Sequence, residues 1–138
     1  MAEFHHRLRL DVSPEVAWAV VGNLAGVDTW IPGVTDVKIE GDVRICTFAN
    51  GAVQQEEISD YSKEMRSYHY SVSGGPLPLK SNRGKWTVEA DGMGSVVLWD
   101  AEIEVLDPQQ EEQVTQLLGG AYQQVLQLLS ERIVEAKQ

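Results

Sequence analysis

The chain has 138 residues, 43% of them hydrophobic, which suits one domain with one core over residues 1–138. Lys and Arg number 11 against 21 Asp and Glu, and a formal net charge of -10 argues against general electrostatic binding to nucleic acid or an anionic membrane surface. Cys46 is the only cysteine, so an internal disulfide is excluded, and a free thiol agrees with a reducing cytoplasm. Met1 to Phe4 has neither the basic region nor the apolar run of a signal peptide, and no stretch approaches the length of a membrane span. The expectation is a cytoplasmic protein without integral membrane association.

Phe4, His6, Leu8 and Leu10 alternate with Glu3, His5, Arg7 and Arg9, the pattern of a half-buried strand. Asp11 or Ser13 then caps a short helix with Pro14 in its first turn and an apolar side of Val16, Trp18, Ala19, Val20 and Val21. Leu24 to Thr29 reads as a second short helix, stopped before Pro32-Gly33. Strands follow over Val34–Glu40 and Val43–Phe48 with Gly41-Asp42 between them, then Ala52–Tyr61 after the Asn50-Gly51 turn. Met65–Val72, Leu79–Ala90 and Ser95–Leu106 complete the set, separated by a Gly74-Gly75-Pro76 loop with Pro78 and by the Asp91–Gly94 turn. From Pro108 to Gln138 the chain reads as one amphipathic helix. Val114, Leu117, Leu118, Ala121, Tyr122, Val125, Leu128, Leu129, Arg132, Ile133 and Ala136 recur at helical spacing. Seven strands joined by hairpins, with a long terminal helix, predict an α+β fold: a mostly antiparallel sheet that bends around the helix and leaves a cavity between the layers.

Several segments, in order, resemble one family. They are Ser13-Pro14-Glu15-Val16-Ala17-Trp18, then Asp28-Thr29-Trp30-Ile31-Pro32-Gly33-Val34, then Gly41 to Tyr61, then Met65 to Val105 with its Pro-Leu-Pro loop. On these the chain is similar to the polyketide cyclase/dehydrase and lipid-transport family of the START-like (SRPBCC) superfamily, to which the birch-pollen-allergen type of helix-grip fold belongs. The resemblance implies an elongated pocket between a curved seven-stranded sheet and the C-terminal helix, with two short helices after the first strand. It also implies a lipid, hormone or polyketide as ligand, and in some members cyclisation or dehydration. A shared shell does not fix the chemistry inside it.

Strand parity selects the cavity-facing side chains. Trp99 shares a face with Val97, Ala101, Ile103 and Val105, opposite the acidic residues of its strand. Tyr68, Tyr70 and Val72 share a face, and tyrosines suit a pocket that is part apolar and part polar. On Leu79–Ala90 the Arg83 and Trp86 faces compete. Pattern favours Trp86 as core, whereas the resemblance favours a polar residue near the ligand. Trp30 is placed at the mouth of the cavity, Tyr122 on the inner face of the long helix, and Leu77 in a gate-like loop. Gly119-Gly120 inside that helix suggests a kink or a close approach. The ligand-contacting set is thus Trp30, Tyr68, Tyr70, Leu77, Trp86, Trp99 and Tyr122.

Catalytic signals are sparse. His5, His6 and His69 lack partners at metal-ligand spacing, and no nucleotide or phosphate-binding motif is present, so neither a metal nor a cofactor is expected. Glu56, with Arg44 on the neighbouring strand or Arg83 as partner, is the one set of residues suited to orienting a carbonyl or moving a proton. Three functions follow: a binder of a small hydrophobic or amphipathic molecule, a cyclase or dehydrase acting through Glu56, Arg44 and Arg83, or a partner-binding module using the Gln-rich back of the last helix. A homo-oligomer is compatible with all three.

Overall fold

The computed structural model describes residues 1–137, so the expected extension of the last helix to Gln138 lies outside the described residues. The alternating segments become seven strands: β1 (Ala2–Leu10), β2 (Val34–Glu40), β3 (Val43–Phe48), β4 (Val53–Ser62), β5 (Ser67–Gly74), β6 (Leu79–Asp91) and β7 (Gly94–Val105). They form one sheet in the order β1-β7-β6-β5-β4-β3-β2, and every neighbouring pair is antiparallel. Hairpins account for five of these pairings, and the sixth brings β1 back beside β7. The sheet stays open, with β1 and β2 as its edges. Strand β5 starts at Ser67 rather than Met65, because Arg66 adopts φ 50, a turn conformation that ends the extended run.

The chain must cross from one sheet edge to the other between β1 and β2. Helix α1 (Pro14–Val21) and a 3-10 helix over Leu24–Thr29 make that crossing. Ser13 is the cap, its Oγ accepting from the Val16 N–H at 3.2 Å, while Asp11 instead accepts from Arg9 Nη1 at 2.8 Å. Helix α1 packs on β6, β7 and the long helix, so the insert closes one end of the layer between sheet and helix.

The terminal helix α2 (Glu111–Lys137) follows a 3-10 turn over Pro108–Gln110, capped by the Asp107 side chain. Its buried stripe is Val114, Leu118, Tyr122, Val125, Leu126, Leu129 and Ile133. The observed stripe differs from the expected one, with Ala121 and Ala136 exposed. Leu117 is exposed, and Leu126 is buried, lying on the β1 side in a groove it shares with His6 and Leu8. Leu129 and Ile133 are wholly buried, and such a side chain contributes about 1.5–3 kcal/mol of hydrophobic stabilisation. The glycines neither interrupt α2 nor admit a close neighbour. The helix runs unbroken through Gly119-Gly120, and a Cβ at either would meet nothing within 4 Å.

Candidate functional site

A cavity of about 300 Å³ lies between the sheet and α2. One wall is aromatic. Trp86 and Trp99 are register partners on β6 and β7, and their rings stack at 4.4 Å and 15°. Tyr122 of α2 leans on Trp99 at 4.4 Å. The Trp99 indole donates to the Tyr70 hydroxyl at 2.9 Å, which fixes the ring and leaves the Tyr70 proton free to donate. Gly84 makes this possible, since a Cβ there would collide with the Tyr70 hydroxyl and lie 2.7 Å from the Asp100 carbonyl. Burial pushes the Tyr122 phenol up to about 12. It raises Tyr70 well above its ordinary value, reinforced by Tyr122 and opposed by the bond from Trp99. Both hydroxyls are therefore protonated at neutral pH.

The opposite wall carries a buried ion pair. Arg44 and Glu56 face each other across β3 and β4, and both point inward. Arg44 Nε donates to Glu56 Oε2 at 2.7 Å and Nη2 donates to Oε1 at 3.2 Å, a bidentate arrangement. A third donor, Nη1, reaches the Leu24 carbonyl at 3.3 Å, and the Cys46 thiol lies 3.6 Å from Oε2. Burial alone would lower the Arg44 pKa; Tyr68 and Glu56 outweigh it, and the net shift is upward. The guanidinium lies 5.8 Å from the Tyr68 ring centroid, within reach of a cation–π contact. Burial, then the Glu56 charge, pushes the Cys46 thiol up to about 12, leaving it inert.

The cavity gathers Arg44, Glu56, Tyr70, Leu77, Trp86, Trp99 and Tyr122 into one lining. Trp30, Tyr68 and Arg83 lie outside it. Trp30 is 1% exposed and packs edge-to-face on Trp86 at 5.3 Å, behind the wall, while its chain neighbours Ile31 and Pro32 reach the cavity. Tyr68 is fully buried beneath Arg44. Arg83 is corrected outright as a cavity group. A register shift does occur in β6, but between Leu79 and Ser81, before Arg83 rather than after it. The phase from Asn82 onward therefore turns Trp86 inward and Arg83 outward, where Nε donates to Glu102 at 3.1 Å.

Gln54 of β4, Asn82 of β6 and Gln124 of α2 also line the cavity and carry amides into it. Parity was the signal for the first two, since Gln54 shares the phase of Glu56 and Asn82 that of Trp86. The loop residues Pro76 and Leu77 close part of the rim. Their loop is tied on both sides, by Gly75 N–H to the Val53 carbonyl at 3.0 Å and by Leu106 N–H to the Pro78 carbonyl at 3.3 Å. His6 is inward but away from this lining, packed among Phe4, Trp99 and Tyr122. His69 is exposed. Among the described residues, no group of three or more His, Cys, Asp or Glu is arranged to hold a metal ion, and no helix is long and apolar enough to cross a membrane.

The sequence profile of the family described as polyketide cyclase / dehydrase and lipid transport matches residues 1–134. No curated protein matches the sequence. Among solved structures, the protein XoxI from Bacillus cereus aligns with 23% identity over 100% of this chain and 99% of its own, with a TM-score of 0.85. An uncharacterised protein from Bacillus thuringiensis aligns with 22% identity over 96% of this chain and 99% of its own, at 0.83. Norcoclaurine synthase from Thalictrum flavum, solved with dopamine and hydroxybenzaldehyde, aligns with 21% identity over 99% of this chain and 88% of its own, at 0.74. At such identities the likeness concerns the fold.

Proposed function

The chain belongs to the polyketide cyclase/dehydrase and lipid transport family, and from that premise we propose that it binds a small hydrophobic or amphipathic molecule, predominantly aromatic, between sheet and α2. One observation carries the reading: a cavity of about 300 Å³ whose wall is the Trp86–Trp99 stack capped by Tyr122. Flat rings bury well against such a wall, and offset stacking adds to the area term. The volume stands at the low end for small-molecule sites, which suits one or two rings and not a two-chain lipid. In this reading Tyr70 and Tyr122 donate to the ligand, Leu77 covers it, and Trp30 and Tyr68 brace the wall from behind. The chain acts as one START-like domain.

A second reading, catalysis of the cyclase or dehydrase kind, draws on Arg44 and Glu56 at the same cavity. Their geometry weakens it. Both Glu56 oxygens already accept from Arg44, so the carboxylate is a fixed acceptor that orients a ligand rather than a free base. Titration of an aromatic probe such as a naphthol, followed by tryptophan fluorescence, tests the binding reading. Saturable one-to-one binding, weakened tenfold or more by Trp99→Ala (on the order of an aromatic contact plus its buried area), is expected. No saturable binding by the probe, together with native mass spectrometry that detects no retained ligand, would overturn it.

A further inference from the structure

The cavity does not end at its aromatic wall. Gln54, Val72, Leu77 and Asn82 also line a second hollow of about 170 Å³, which the end of β5 and the start of β6 complete. The two spaces are therefore neighbours that share these four residues as lining. Asn82 stands at the junction. It is directed inward from β6, and its Oδ1 is buried without a hydrogen-bond partner. Buried acceptors are nearly always satisfied, so an orphan beside a cavity points to a missing partner. Gln54 flanks the same junction from β4, its side chain held against Gly75: a Cβ at that glycine would lie 2.7 Å from Gln54 Oε1.

The charge at this end is cancelled. Lys80 also borders the hollow, but its ammonium lies 3.8 Å from Glu104, with 67% of its side chain exposed. What faces inward is a pair of neutral amides, each able to donate and to accept. Rotation about the Asn82 Cβ–Cγ bond exchanges its oxygen and nitrogen, so the amide can meet either kind of ligand atom.

We propose that Asn82 and Gln54 form a polar annex that reads a neutral hydrogen-bonding end of the ligand, an amide or a hydroxyl, while its rings lie in the aromatic cradle. The proposal rests on the binding reading above and narrows it. A carboxylate or ammonium end gains no counter-charge here, and a purely hydrocarbon ligand leaves both amides unpaired. A ligand N–H that reaches Asn82 Oδ1 satisfies the orphaned acceptor, and a ligand carbonyl accepts from the Gln54 or Asn82 NH₂.

Three isosteric naphthalenes test it: the carboxamide, the methyl ketone and the isopropyl hydrocarbon, titrated by fluorescence into the full chain. In the parent the carboxamide binds tighter than the hydrocarbon by on the order of tenfold, with the ketone between them. Asn82→Leu abolishes that preference and leaves hydrocarbon affinity unchanged or improved. Gln54→Leu, at a half-buried position on the other wall, reduces the same preference and keeps the test decisive if Asn82→Leu folds poorly. Equal binding of all three compounds by the parent, or a carboxamide preference that survives both substitutions, overturns the annex while the binding reading stands. If none of the three binds, the annex falls, and where native mass spectrometry also detects no retained ligand the binding reading falls with it.

Discussion

Breaking the Arg44–Glu56 pair from one side should cost far more than removing it whole. The side chains are 1% and 6% exposed, with hydrogen bonds at 2.7 and 3.2 Å. Arg44→Met leaves the Glu56 carboxylate with only the Cys46 thiol beside it, and Glu56→Leu leaves a buried guanidinium facing Tyr68 and the Leu24 carbonyl. An uncompensated buried charge costs about 3–5 kcal/mol, so each single variant should lose roughly that much. The double variant replaces two desolvated ions by apolar groups of similar size. It should lie near the parent or above it, within about 1–4 kcal/mol. Urea unfolding of the four proteins, read as a double-mutant cycle, measures the difference. At an m-value of about 1–3 kcal/mol/M, each single substitution lowers the midpoint by more than about 1 M. The refuting result is a pair of singles that each cost less than about 1 kcal/mol and add in the double. Solvent would then be screening the pair, and its burial on this side of the cavity would be wrong.

Gly119→Ala and Gly120→Ala should each stabilise the protein by about 1 kcal/mol in thermal or urea unfolding, because α2 is regular there and the new methyl meets nothing within 4 Å. A loss of stability would mean that the helix bends at this point in solution. Cys46 should resist iodoacetamide in the native protein at pH 8 and react fully in urea, since burial holds its thiol near 12; rapid native alkylation would contradict the packing around it. His6 should weaken the fold in acid. Burial, with a smaller contribution from His5, lowers its pKa from 6.5, so the unfolded chain binds the proton more readily than the folded one. Stability is complete above pH 6.5 and falls as pH drops from there through the folded value, with Phe4, Trp99 and Tyr122 around the ring offering no counter-charge. His6→Phe should flatten that part of the stability profile, and an unchanged slope in urea midpoints would exclude His6 as its source.

Local pattern in the sequence was enough for the order of the elements and for the faces of most of them. Alternation in Phe4–Leu10 and Val97–Val105 marks strands with one buried side, because a strand repeats every two residues, and Asn50-Gly51 marks a hairpin, which the fold closes with a three-residue Ala49–Gly51 loop rather than a two-residue turn, only Gly51 taking a positive φ. The same parity places Trp99 and Tyr70 inside, the inner stripe of α2 selects Tyr122, and the inward Glu56 was indicated only by the family resemblance. Tertiary structure decided what parity leaves open. Inward is not the same as lining a cavity: Trp30 and Tyr68 point inward and are covered by Trp86 and Arg44, because depth along the inward normal depends on which neighbours arrive from other elements. The phase of β6 depended on where its irregularity fell, and one residue's difference would have exchanged Arg83 for Trp86. The pairing of Arg44 with Glu56 required the register of β3 on β4, and the amide junction of Gln54 and Asn82 required two strands on either side of β5. These are distances between residues far apart in the chain, and only the folded sheet sets them.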